Sequence, residues 1–205
     1  MKRQLVIMYT FIAASLLATV LVLLNCAERD FVYDNPCDKD GTNYRGCDDE
    51  GYIGKGNDIS NYRTVVIGTQ TWMAENLDYR VGGSVCHDNS VYNCAKYGRL
   101  YDWGTAMGLG GSYYGTVWGG SDVNHRGICP VGWHLPSRAE WDTLENFVGG
   151  SSTAGRKLKS TSFNGTDEYG FSALPGGYGS SDGYFINAGS NGYWWSATEG
   201  NAINA

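Results

Sequence analysis

Residues 129–150 read CPVGWHLPSRAEWDTLENFVGG, and the reading of this stretch decides the fold. It crowds Cys129, His134, Ser137, Glu140 and Asp142 into one segment, so it is either a set of reacting groups or the foundation of a helix. The spacing favours the helix. Ser137 precedes the first periodic residue and Glu140 follows three positions later, the arrangement in which hydroxyl and carboxylate each satisfy an orphan amide. Pro136 stands outside the cap, where it can staple to Trp141. Trp141, Leu144 and Val148 fall at i, i+3 and i+7 with Phe147 flanking, which makes one face apolar. Asp142 and Glu145 face the other way, and Glu140 and Asp142 suit the positive end of the helix dipole. Gly149 and Gly150 supply a left-handed stop. No G-x-S-x-G elbow surrounds Ser137, so these residues are explained as architecture.

Working outward, RTVVI at 63–67 reads as a strand, Gly68-Thr69 as a two-residue hairpin turn and QTWM at 70–73 as the returning strand. YGRLYDWGTAM at 97–107 has Leu100, Trp103 and Met107 at i, i+3 and i+7 and predicts a short helix. Arg156-Lys157-Leu158-Lys159 reads as a solvated basic loop. YGFSAL at 169–174 and YWWSAT at 193–198 read as strands, the second one buried. Between them lies a Gly/Tyr-rich segment.

The chain begins with Lys2 and Arg3, an apolar run of 20 residues from Leu5 to Leu24, and Asn25-Cys26. Charge followed by apolar run is the order of an export signal, so residues after Cys26 are expected outside the cytoplasmic membrane. The Leu-Leu-Asn-Cys ending resembles a lipoprotein signal, with lipid on Cys26 and removal of residues 1–25. An uncleaved anchor is the alternative, since 20 helical residues at about 1.5 Å each span a bilayer. Residues 26–60 are acidic and Gly-rich and read as a tether. The acids of DKDGTNYRGCDDE do not follow the order of an EF-hand. Residues 61–205 form the domain.

Without residues 1–25, which carry two basic residues and no acid, 13 Lys and Arg face 21 Asp and Glu, a net of −8. That balance speaks against nucleic acid as a partner. Glycine numbers 30 of 205 residues, about twice its ordinary frequency, among 15 Tyr and 7 Trp. Gly-rich turns around aromatic residues point to many short strands and long ordered loops and away from a helical bundle. Cysteines in an exported chain are read first as disulfides. The local pairs Cys37–Cys47 and Cys86–Cys94 are the economical connectivity, and Cys129 is left as a free thiol.

The segments YRTVVIGTQTWMAENLDY, YGRLYDWGTAM, CPVGWHLPSRAEWDTL, AGRKLKSTSFNGTDEYGFSALPGGY and GYWWSAT, in this order over residues 61 to about 199, resemble the Fibrobacter succinogenes major paralogous domain family. The resemblance implies an exported or surface protein, often a lipoprotein, with no established activity. GWHLPSRAEW is also similar to a segment of formylglycine-generating enzyme relatives, which implies a C-type-lectin-like α+β fold: short antiparallel strands with two short helices and long Gly/Tyr-rich loops. The redox cysteines of those enzymes lie late in the chain, and no cysteine follows Cys129 here. Family members continue past the W-W-S-A-T-E motif toward a cysteine, so the resemblance implies a domain incomplete at its C-terminus, with Cys129 bereft of its partner.

The spacings of Cys86, His87, Cys94, Cys129 and His134 match no zinc pattern. The sequence motifs of calcium-dependent lectins are missing, and neither metal nor cofactor is expected. The expected function is a non-enzymatic, lipid-anchored binding module of the bacterial cell envelope, at the outer membrane or cell surface, for polysaccharide or a surface protein. Candidate ligand-binding residues are Tyr113, Tyr114, Trp118, Tyr178 and Tyr184, with Tyr193 beside them, because rings among glycines can stack on sugar or protein surfaces. Trp72, Trp103, Trp141, Trp194 and Trp195 are assigned to the core. A formylglycine-generating-type enzyme and a purely structural envelope protein are the alternatives.

Overall fold

A computed structural model describes residues 52, 54–109 and 117–200, together with the backbone of the dipeptides 3–4, 22–23 and 25–26. Cys37 and Cys47 lie outside the described residues, as do Tyr113 and Tyr114. After a 3-10 turn at Ile59–Asn61 the chain forms a hairpin. β1 (Thr64–Ile67) and β2 (Gln70–Met73) pair antiparallel, Thr64 with Met73 and Ile67 with Gln70, around the Gly68-Thr69 turn that the sequence predicts. Alternation sets the burial: Ile67 is 2% exposed while its neighbour Val66 is 70% exposed. Next come β3 (Glu75–Asn76), α1 (Val91–Tyr97), β4 (Leu100–Tyr101) and α2 (Trp103–Ala106). β5 (Trp133–His134), α3 (Arg138–Phe147) and α4 (Ser151–Leu158) follow. The last hairpin is β6 (Gly176–Gly179) with β7 (Phe185–Ala188). Mixed helices and short strands make the fold α+β.

α3 forms as its sequence dictates. The Ser137 hydroxyl accepts from the Glu140 amide, and the Glu140 carboxylate accepts from the Ser137 amide at 2.8 Å, closing the capping box. Trp141, Leu144 and Val148 are buried, Phe147 is exposed, and Gly149 and Gly150 carry positive φ.

Several expectations are corrected. The helix expected over 97–107 is split: α1 ends before Gly98, whose φ of 78° suits glycine and where a Cβ would stand 2.6 Å from the Asn76 side chain. The chain then extends as β4 before Asp102 caps α2 by accepting from the Thr105 amide at 2.7 Å. Second, the basic stretch 156–159 largely belongs to α4, with Leu158 buried. The described residues thus hold four α-helices where two were expected. Third, 169–174 contributes only a bridge between Ala173 and Lys159. Fourth, 193–198 is no strand: its main chain is held piecemeal, as where the Ala197 amide donates to the Pro136 carbonyl at 2.8 Å. The named strands pair antiparallel, as expected, apart from Arg3–Gln4, which lies parallel to both β2 and β5.

Two apolar clusters flank the strands. Trp72, Leu100, Trp141, Leu144, Phe171 and Trp194 build one. Met73, Tyr101, Trp103, Cys129, Trp133 and Leu135 belong to the other. Trp72-Met73 and Leu100-Tyr101 each send neighbouring side chains into different clusters, as period-two alternation requires. No helix among the described residues is long and apolar enough to cross a membrane.

The packed body begins before Asn61. Gly54 bridges Tyr79, and the Lys55 amide donates to the Asp78 carbonyl at 2.9 Å. The Lys55 ammonium pairs with the buried carboxylate of Glu75, which also accepts from the Arg63 amide at 3.0 Å. Asp78, 3.5 Å from the Arg99 guanidinium, accepts from the Tyr52 hydroxyl. Burial raises the Asp78 carboxyl above the usual range, against the opposing pull of Tyr52, Arg99 and Lys55. The end of the acidic segment, read as tether to residue 60, is therefore bolted to the domain by charge.

Candidate functional site

The glycines of β6 shape the site. A Cβ at Gly177, where φ is 65°, would stand 2.4 Å from the Ile186 carbonyl oxygen, so the two strands approach as only glycine permits. The register sets Tyr178 opposite Ile186 and Gly179 opposite Phe185. Opposed residues share a sheet face, so Tyr178 and Ile186 lie together. The pairing continues past the strand ends, with the Ser180 amide donating to the Tyr184 carbonyl at 2.8 Å, and alternation brings Tyr184 to the same face. Tyr184 is 68% exposed and Ile186 37%. Tyr193 joins from the following segment, its ring 5.1 Å from that of Tyr178 and edge-on to it, while the Asn187 amide donates to its hydroxyl at 3.1 Å. Beneath the hairpin, the Phe185 ring lies 5.2 Å from the buried His87. The result is a hairpin face on which Tyr184 and Ile186 are exposed and Tyr178 is half-buried, bordered by Tyr193, whose half-buried ring also packs against the first apolar cluster.

Three of the residues singled out from sequence thus come together, Tyr178, Tyr184 and Tyr193. Trp118 does not join them. Its ring packs against Trp103 and His125 at centroid distances of 6.2 and 4.8 Å, and its amide donates to Glu199 at 2.8 Å. It fastens its loop to the end of the W-W-S-A-T-E motif. Ile186 and Asn187 were missed; the alternation of Tyr184 with Ile186 is the signal that would have found Ile186, while the positive φ of Asn187 leaves no such trace.

Of the reactive residue types in the quoted stretch, His134, Ser137 and Glu140 are engaged with one another, Cys129 is buried and Asp142 is exposed. His134 is buried with Nε2 3.1 Å from Glu140, and the Ser137 hydroxyl donates to the same carboxylate at 3.1 Å. Serine and histidine both turn to the glutamate, so no nucleophile–base pair forms. Cys86 and Cys94 are joined by a disulfide that spans the turn into α1. Cys129 is a buried free thiol; burial pushes its pKa up strongly, the nearby Arg126 opposing, which keeps it protonated and unreactive. The described residues hold no cluster of three metal-ligating side chains.

No curated protein and no solved structure matches the chain. A family profile does: that of the Fibrobacter succinogenes major domain, over residues 65–205. The matched span takes in the β1–β2 hairpin, the capped α3, the tryptophan core and the tyrosine face, and on this match the chain belongs to the Fibrobacter succinogenes major domain family.

Proposed function

We propose that the domain is a non-enzymatic binding module of the bacterial cell surface, held to the membrane by lipid on Cys26, and that it recognises carbohydrate or a protein surface through Tyr178, Tyr184, Ile186 and Tyr193. The observation that carries this reading is the gathering of Tyr178, Tyr184 and Ile186 on one face of a glycine hairpin, with Tyr193 edge-on to Tyr178 beside it. A ring in that position offers a flat apolar surface with a polar edge, suited to the C–H faces of a sugar or to another side chain. Each such contact contributes roughly 0.5–1.5 kcal/mol. In the same reading the fold is C-type-lectin-like, with the binding face on a hairpin outside the capped-helix core.

The test is a polysaccharide and glycan pull-down on the full chain, with Tyr178→Ala and Tyr184→Ala compared for retention and for thermal unfolding. Loss of retention with unchanged unfolding supports the face; retention unchanged in both variants sinks it. Labelled fatty acid should enter the exported chain and fail to enter Cys26→Ser; persistent labelling would refute the anchor.

A further inference from the structure

Among the described residues, buried strand edges of the body pair with main chain that precedes residue 27. β2 and β5 run parallel with one strand position between them, and Arg3–Gln4 fills it, pairing Gln4 with Trp72 and Arg3 with Trp133. β4 pairs with Val22–Leu23 and β3 with Asn25–Cys26, both antiparallel. The lining is interior: Trp72 and Met73 are 0% exposed, Trp133 2% and His134 3%. An empty position would leave amides and carbonyls of two buried strands unpaired, at about 1–3 kcal/mol for each group without a partner. β1 differs, since three of its four residues are exposed or half-buried and water can reach such groups.

We propose that the position between β2 and β5 is a strand-acceptor site, filled by the N-terminal segment in the uncut chain and, once that segment is cut away, by an extended peptide strand supplied in trans. Recognition there runs through main-chain hydrogen bonds, with Trp72 and Trp133 flanking the strand in register. The biological occasion for the cut rests on the export reading, in which removal of residues 1–25 takes away Arg3–Gln4 and Val22–Leu23 together. The site itself does not depend on it.

A specific protease site placed between Ala27 and Asn35 of the full chain, with Cys26→Ser to block lipidation, allows the cut to be made in the folded protein. Hydrogen exchange then reads the amides of 70–73 and 133–134. The expected result is faster exchange in these segments after the cut and removal of the released fragment, by roughly ten-fold or more. A synthetic peptide of residues 1–8 should restore protection, and the same peptide carrying Gln4→Pro should not, because proline lacks the amide. A cut protein that dimerises on concentration, with protection returning as it does, assigns the same site to a strand of a second copy. Unchanged exchange after the cut, in a monomer that ignores the peptide, overturns the proposal. Intact mass of the exported wild-type chain reports separately whether the natural cut occurs, so failure of the export reading is not confused with failure of the acceptor.

Discussion

The capped helix α3 and the β6–β7 hairpin are both built with aromatic rings beside glycines, yet they use the rings in opposite ways. Around α3 the rings close on one another. Trp141 lies 4.9 Å from Trp72, and Trp72 lies 6.2 Å from Phe171. Neighbouring indoles are fixed by their N–H groups: Trp194 donates to Asn76 at 3.0 Å, Trp103 to the Ser196 carbonyl at 2.9 Å, and Trp195 to the Tyr101 carbonyl at 2.8 Å. At the hairpin, the rings of Tyr178 and Tyr193 meet edge-on, while Tyr184 and Ile186 are left exposed. Glycine makes the difference. In α3 it stands at the stop, outside the packed face; in β6 it occupies three of four strand positions, and the core side of that strand carries no side chain to bury.

The comparison breaks first at Trp141. Trp141→Ala removes a ring that contacts Trp72 in a nine-tenths-buried setting and should destabilise the fold by about 3–5 kcal/mol, read by denaturant unfolding. The Trp141 N–H has no hydrogen-bond partner among the described residues, so Trp141→Phe should lose well under half as much. If the two variants lose the same amount, the indole N–H matters more than the packing.

The Cys86–Cys94 disulfide tests the scaffold that carries the hairpin. It closes a loop of sequence separation 8 beside His87, whose ring supports Phe185 of β7. Chain entropy for so short a loop gives about 2–3 kcal/mol. Replacing both cysteines by serine should lower stability by that amount and loosen β6–β7 more than α3, measured by hydrogen exchange. Thiol titration should find Cys129 silent in the native body and reactive on denaturation. Equal loosening of both regions would show that the disulfide steadies the whole body and not the hairpin side.

A smaller effect is expected at the cap. Ser137→Ala removes the hydroxyl that accepts from the Glu140 amide and donates to its carboxylate. The loss should be near 1 kcal/mol, seen as a shift in unfolding midpoint with an unchanged denaturant slope. A loss several times larger would mean that the Glu140 contact with His134 depends on the cap.

What could be read from sequence divides along the same line. The start, face and stop of α3 are written within 14 residues (137–150), each signal local, and the β1–β2 turn is likewise contained in Gly68-Thr69. α4 escaped because Gly150 caps it without a side chain, leaving Ala154 and Leu158 as a thin apolar face among basic residues. α1 escaped because its Val91 and Cys94 fall in the stretch read as a disulfide loop and its Tyr97 at the start of the helix expected over 97–107. The run 193–198 looked like a strand because it is apolar, but its partners are single groups on distant segments. The tyrosines of the hairpin were legible one by one. Their common face was not, since it follows from the pairing of Tyr178 with Ile186, and a strand of glycines announces no pairing.

The smallest expected effect is the most telling for function. Tyr184 is 68% exposed, lies outside both apolar clusters and gives its main-chain carbonyl, not its ring, to the turn. Removing the ring leaves that hydrogen bond intact and uncovers little apolar surface, so Tyr184→Ala should change stability by no more than about 0.5 kcal/mol. Tyr178→Ala should cost somewhat more, because its ring meets Tyr193 and stands opposite Ile186. An exposed tyrosine that can be deleted from the fold without consequence is there for packing in neither cluster. If Tyr184→Ala instead unfolds the hairpin, the ring is structural and the open face is a by-product of glycine-rich strands. If stability holds and ligand retention falls several-fold, the contrast between the closed rings of α3 and the open rings of β6–β7 is one of function.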